Sequence, residues 1–383
     1  MSYKANILIR FNKTVYEKTP INIHIELPKG KYIEPQSLKL VDKKSDHKIE
    51  CQAVHLGNSV YKIYWIEEKA KPLEEKHYTV SFDLIDSIPK EYSSTKCRLI
   101  VSKEKASFVV DEEIFTEYVF NIEGYKPYLY PIRGPTGKSL TRLSPEDHPH
   151  HRSVWFAFGD INGYDFWAEK NDCGKIVHRK VRIARSGSVL ALLKANSIWV
   201  TPQGEALLED YRTITVYALP PEERIIDLEI TIKALKKYVF FNDTKEGGVF
   251  ATRVADEIDV IDGGKIVDSE GREYEKNVWG KRADWCDYYG VIDGITAGYA
   301  IFDHPDNIRH PCHWHVRDYG MFCPNISSSF PDFPGRLELA PEETLKLKYR
   351  MYIHKGDHEK AKVSQKYLEY ALPIKILMRK VRE

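Results

Sequence analysis

The chain has 383 residues, 42% of them hydrophobic, and its 57 Lys and Arg nearly cancel its 56 Asp and Glu, for a formal net charge of +1. That balance gives no long-range field for nucleic acid or an anionic membrane, so neither is expected as a partner. The length exceeds one ordinary core and predicts two domains or one large β architecture with an accessory module.

The opening "MSYKANILIRF" has no apolar run of signal-peptide length, and no window reaches the roughly 18 uncharged apolar residues that would span a bilayer. The six cysteines, Cys51, Cys97, Cys173, Cys286, Cys312 and Cys323, form no CxxC pair. This pattern suits reduced thiols, and a cytoplasmic location is expected.

The first hundred residues alternate apolar and polar positions in "NILIRF", "INIHIELP", "YKIYWIE" and "HYTVSFDL", broken by Pro, Gly, Asn and Asp. Period-2 alternation between turn residues predicts a small Ig-like β-sandwich over residues 1–105. The polar run "SKEKASF" marks the boundary. Strand patterns continue to about residue 355 in "SVLALLKANSIWV", "RTITVYAL", "RIIDLEITIKAL" and "LKLKYRMYI". These predict a large antiparallel sandwich over 106–383, so the chain reads as all-β. Only the tail "DHEKAKVSQKYLEYALPIKILMRK" has helical spacing, which predicts one C-terminal helix interrupted at Pro373.

Two segments carry the chemistry. "DHPHHRSVWFAFGDINGYDFW", residues 147–167, gathers His148, His150, His151 and Arg152 with three acids and two tryptophans. "DHPDNIRHPCHWHVRDYG", residues 303–320, repeats the theme with His310, His313, His315 and Arg317. On an extended backbone His148 and His150 would share one face, opposite His151, and His313 and His315 would form a second same-face pair. Imidazoles titrate near neutrality and suit acid–base work. Two HxH pairs, His148 with His150 and His313 with His315, could alternatively hold zinc, iron or copper. A third segment, "DTKEGGVFATRVADEIDV", places Glu246 ahead of a strand that carries Arg253, a reasonable position for a general base but also for an ordinary turn residue. The tryptophans offer indole faces for sugar rings or for core packing. Nucleotide-binding and hydrolase signatures such as GxGxxG, the P-loop, GxSxG and HExxH are absent, and "GPTGKS" is too short for a P-loop.

"YLYPIRGPTGKSLTR", "DHPHHRSVWFAFGDINGYDFW", "DTKEGGVFATRVA" and "HPCHWHVRDYG" together resemble the methane oxygenase PmoA-like family, from about residue 125 to 355. The methane monooxygenase subunit of that name is an integral membrane protein, so methane oxidation is not expected of a chain without a spanning segment. The resemblance implies a β supersandwich similar to galactose mutarotase and related carbohydrate-active proteins. It carries over to His148, His150, His151, Arg152, Asn162, Asp165, Trp167, Glu246, Arg253, His313, His315, Arg317 and Tyr319. It departs at "NISSSF" after Asn325, where the family continues Pro-Phe-Gly, which puts substrate preference in doubt.

The leading expectation is therefore an enzyme acting on a sugar, sugar derivative or oligosaccharide, a hydrolase, lyase or epimerase. Its proton transfers would be made by His148, His150, His151, His313 or His315 with Glu246, without a cofactor. Arg152, Asn162, Asp165, Trp167, Arg253, Arg317 and Tyr319 would bind substrate. The alternatives are a metal-dependent enzyme built on the two HxH pairs and a non-catalytic carbohydrate-binding protein. Every enzymatic version requires the two histidine segments to meet in space.

Overall fold

The computed structural model describes residues 2–89, 96–120, 124–244, 248–327 and 335–381. They form an almost entirely β protein with several antiparallel sheets, a short helix at Tyr274–Val278 and a C-terminal helix at Val363–Ala371. The chain divides into two compact units.

The first unit comprises Met1–Arg98, Arg185–Ala191 and Gln365–Glu383. One sheet contains the antiparallel strands Lys375–Lys380, Ser2–Arg10, Glu75–Ile85 and Lys39–Asp42 as successive neighbours. A second, three-stranded sheet joins Tyr16–Glu26, Val60–Ala70 and Cys51–Gly57. The period-2 pattern explains the packing: Ile7 and Ile9 from one sheet and Ile21, Ile23, Ile63 and Trp65 from the other all face a common buried core. Each such aliphatic side chain contributes on the order of 2 kcal/mol when fully buried. Pro373 stops the C-terminal helix, and the residues beyond it pair with the first strand, Ile7 opposite Met378.

The second unit comprises Leu99–Ala184 and Leu192–Ser364, and holds two eight-stranded sheets. In the first, His313–Val316, Met321–Asn325, Phe250–Arg253 and Val154–Phe156 lie side by side, all antiparallel. In the second, the long strands Ala206–Tyr217, Glu223–Ala234, Thr344–Lys355 and Ile295–Asp303 are neighbours. Aromatic contacts lock the sheets face to face. Phe250 stacks on Tyr349 with ring centroids 5.1 Å apart, and Phe322 meets Tyr299 at 5.4 Å and Tyr288 at 5.5 Å. Beneath Phe156 lies a buried ion pair, with Asp210 accepting two 2.8 Å hydrogen bonds from Arg212 and a 2.6 Å bond from the Trp199 indole N–H. This is the large antiparallel sandwich that the strand patterns predict.

Candidate functional site

Strand register decides which face of the first eight-stranded sheet carries chemistry. Trp155 pairs with Ala251, Arg253 with Met321, and His315 and His313 with Cys323 and Asn325. Paired residues share a face and alternate residues return to it, so Trp155, Arg253, His313 and His315 all project from one side. Phe250, Phe322 and Trp314 project from the other, into the core. The two histidine segments thus reach one face of one sheet.

The approach to Val154–Phe156 is not the extended strand its HxH spacing suggests. Residues 145–150 form tight turns, in which the His148 N–H donates to the Pro145 carbonyl and the His151 N–H to the His148 carbonyl at 2.9 Å. Ser153 then takes a left-handed φ of 64°, with its hydroxyl bonded to Thr141 at 2.7 Å, and redirects the chain into the strand. Imidazoles that a strand would separate are consequently stacked. His148 lies parallel to His151 at 4.6 Å and 11° and to Tyr319 at 4.9 Å and 15°, Tyr319 is 6.5 Å from His151, and Trp155 packs on His151 at 5.2 Å. His150 meets His151 edge-on at 4.7 Å. Each such contact is worth roughly 0.5–1.5 kcal/mol beyond area burial, so the ring cluster is a stiff element. Gly320, at φ 96°, closes the turn that presents Tyr319; a Cβ there would lie 2.6 Å from the Val254 side chain.

Polar bonds hold this ring cluster in place. Arg253, 2% exposed, reaches Asp147 at 2.8 Å and the His151 Nδ1 at 3.3 Å, with its guanidinium 4.7 Å from the Tyr319 ring centre. A guanidinium only donates, so His151 Nδ1 accepts and its proton sits on Nε2. Asp147 also holds His148 Nδ1 at 2.8 Å. Burial pushes the Asp147 carboxyl up, but the bonds from His148 and Arg253 prevail and bring it down to about 2. Burial, reinforced by the neighbouring imidazoles, lowers His151 to about 2, and burial with the Lys126 charge lowers His150 to about 4. Both rings are therefore neutral at neutral pH, while His148 sits at the solvent edge with its side chain 34% exposed.

A second group lies beside the first. Arg152 grips Glu169 with a bidentate bond and donates to the Ser144 hydroxyl at 2.7 Å. Lys126, its side chain fully buried, reaches Glu169 at 2.9 Å and the Trp167 carbonyl at 2.6 Å. Burial lowers its ammonium to about 8, opposed by Glu169. His150, Arg152 and Glu169 border an open groove with Tyr125 and Lys175.

The remaining expected site residues divide by what they touch. Trp167 packs on Trp155 at 5.3 Å and belongs to the aromatic wall. Asn162 is used by the backbone, bonding the Phe240 N–H at 2.6 Å and the Tyr238 carbonyl at 3.0 Å. Asp165 accepts the N–H groups of Trp167 and Ala168 and shapes the loop that bears Glu169. His315 Nδ1 receives the Trp279 indole N–H at 3.2 Å, and Arg317 pairs with Glu275 at 2.5 Å. Glu246 lies outside the described residues. Among the described residues no group of three or more His, Cys, Asp or Glu side chains is placed to hold a metal ion. The turns at 145–150 stack His148 on His151 instead of aligning it with His150.

A family model described as a family of unknown function, DUF6807, matches residues 105–368, more than half of the chain. The chain belongs to that family. The methane oxygenase PmoA-like name gains no support from the match. Every site residue described above lies within the DUF6807 region. Among solved structures the chain is similar to a glycosyl hydrolase family 38 protein from Enterococcus faecalis at 13% identity and a TM-score of 0.46, covering 98% of this chain and 47% of that one. It is also similar to an alpha-mannosidase from Enterococcus faecalis V583 at 9% identity and a TM-score of 0.43, covering 98% and 46%. The chain thus spans about half the length of either. No curated protein sequence matches it. No helix among the described residues is long and apolar enough to cross a membrane.

Sequence reasoning misses three participants. Asp147 stands inside the first motif without being singled out, although a carboxylate next to a histidine is a readable signal. Glu169 and Lys126 give none, because a single acid and a single lysine acquire meaning only when the fold buries them against each other.

Proposed function

We propose that this DUF6807 member is a carbohydrate-active enzyme in which His148 transfers the proton. The observation that carries this reading is the chain Arg253–Asp147–His148. Arg253 keeps Asp147 ionised, Asp147 accepts a hydrogen bond from His148 Nδ1–H, and Nε2 is left as the atom that exchanges a proton with substrate. The Asp147 carboxylate also stabilises the imidazolium that forms. Trp155 and Trp167 are buried, 0% and 4% exposed, so they back the imidazoles as packing and leave contacts with a sugar to the polar groups at the groove. Neutral His150 is a hydrogen-bonding group for hydroxyls at the groove. Glu246, four positions before Phe250 in the sequence, is the second proton-transfer group in this reading. The six free thiols support a reducing, cytoplasmic setting.

The test is a panel of 4-nitrophenyl glycosides and free aldoses, followed by absorbance and by NMR in D2O, for the wild type, His148→Gln and Glu246→Gln. Product formation or solvent deuterium uptake by the wild type is expected, with a loss of about 10² or more in kcat for each variant. Saturable sugar binding without product would replace the enzyme by a carbohydrate-binding protein, and an unimpaired His148→Gln would remove His148 from the chemistry.

A further inference from the structure

The first unit holds a cavity of about 460 Å³, within the range of about 300–1,000 Å³ usual for small-molecule sites. Ile33, Leu38, Ile49 and Ala53 give it an apolar wall, and His55, Tyr61 and Arg185 give it a polar end. Tyr61 is 2% exposed. Its hydroxyl and the His55 Nε2 are both buried; the Tyr61 oxygen is approached by the Ile33 backbone, but neither group has an acceptor for a proton among the described residues. A buried polar group left in that state is costly, so two of them at one end of a cavity point to a ligand that satisfies them.

The polar end is held in place. His55 stacks on Tyr61 at 4.8 Å and 25° and meets Tyr32 edge-on at 5.6 Å. The segment that brings Arg185 to the wall is tied down by Gln52, which accepts the Val189 and Leu190 N–H groups at 3.0 and 2.9 Å and donates to the Ser186 carbonyl at 3.2 Å. Gly187 fits there because any Cβ would lie 1.9 Å from the Gln52 amide. Burial, aided by the Arg185 charge, lowers His55, and burial raises Tyr61, so the imidazole and phenol are both neutral and able to donate. Cys51, with its thiol pushed by burial to about 12, is a spectator. The one acid among the described residues of the wall, Glu50, lies 3.7 Å from the Lys96 ammonium.

We propose that this cavity binds a small organic anion, with an apolar ring-sized body against the aliphatic wall and an oxyanion accepting hydrogen bonds from Tyr61 and His55 beside Arg185. A cation would meet Arg185 unfavourably, and a purely apolar ligand would leave both donors unsatisfied. Ile33 to Tyr61 precede the DUF6807 region and Arg185 lies within it, but none of these wall residues belongs to the His148 site, so the cavity does not rest on the proposed enzymatic function.

The full-length protein is titrated with 8-anilinonaphthalene-1-sulfonate and with N-phenyl-1-naphthylamine, a neutral relative without the sulfonate, and binding is read by fluorescence. Saturable one-to-one binding of the sulfonate is expected. Tyr61→Phe and Arg185→Met each weaken it about tenfold while leaving the neutral probe unchanged, and Ala53→Phe, which fills the cavity, abolishes binding of both. Far-UV circular dichroism establishes that Arg185→Met is folded, and Tyr61→Phe keeps the ring packing in any case. Absence of saturable binding, sulfonate binding indifferent to Ala53→Phe, or equal effects of Tyr61→Phe on the two probes would each overturn the proposal.

Discussion

At the residue scale the histidines titrate in opposite directions, and the environment of each gives the sign. Burial lowers His150 and His178 to about 4 and His151 to about 2, below the unfolded value near 6.5. The unfolded chain therefore binds protons first, so these groups cost nothing above about pH 6.5 and destabilise the fold progressively as pH falls toward 4. His310 behaves inversely. It sits between Asp303 at 2.9 Å and Asp284 at 3.4 Å, and although burial pushes it down, those two carboxylates bring it up to about 9. Its contribution is full below about pH 6.5 and is lost as pH rises through 9. Urea midpoints measured from pH 4.5 to 9.5 should fall on both sides of neutrality. His310→Gln should flatten the alkaline limb and cost about 3 kcal/mol at pH 6.5 by leaving Asp303, fully buried, without its cation. A variant with an unchanged alkaline limb would show that the His310–Asp303 pair is not what titrates.

At the element scale the strands beneath the site rest on the buried Asp210–Arg212 pair, whose side chains are 0% and 1% exposed. Breaking such a pair costs more than replacing it, because the surviving charge has no solvent. Arg212→Met should destabilise the protein by about 3–5 kcal/mol in urea unfolding. The double variant Asp210→Asn with Arg212→Met should recover most of that loss, since asparagine still accepts the Trp199 N–H without carrying charge. An additive double variant would contradict this account. The strands themselves are legible in the sequence, because alternation fixes which side of "RTITVYAL" or "INIHIELP" is buried. The same spacing rule misleads in the first histidine segment, where Pro145, Pro149 and a left-handed Ser153 create turns to which HxH spacing is blind.

At the scale of the whole molecule, the tail beyond Pro373 departs furthest from its local pattern. The spacing of "IKILMRK" predicts the continuation of an interrupted helix, yet Lys375–Lys380 lies as an edge strand against Ser2–Arg10. Removing residues 373–383 uncovers the N–H and C=O groups of the first strand along the whole paired stretch. The truncated chain should unfold several degrees lower in calorimetry and self-associate in sedimentation; a monomeric truncation with an unchanged transition would show that this strand is dispensable.

The sequence alone determined the all-β class, the small sandwich at its start, the C-terminal helix and the two histidine-rich segments, because alternation, turn residues and composition are local properties. Only the tertiary structure decided that His148, Arg253 and His315 lie on one face, that Arg152 is committed to Glu169 and Asn162 to backbone, and that Asp147 bonds His148 and Arg253 while Lys126 bonds Glu169. Those outcomes depend on antiparallel pairing among strands about 70 to 100 residues apart. Such register is set by how whole sheets bury their apolar faces, which no short stretch of sequence contains.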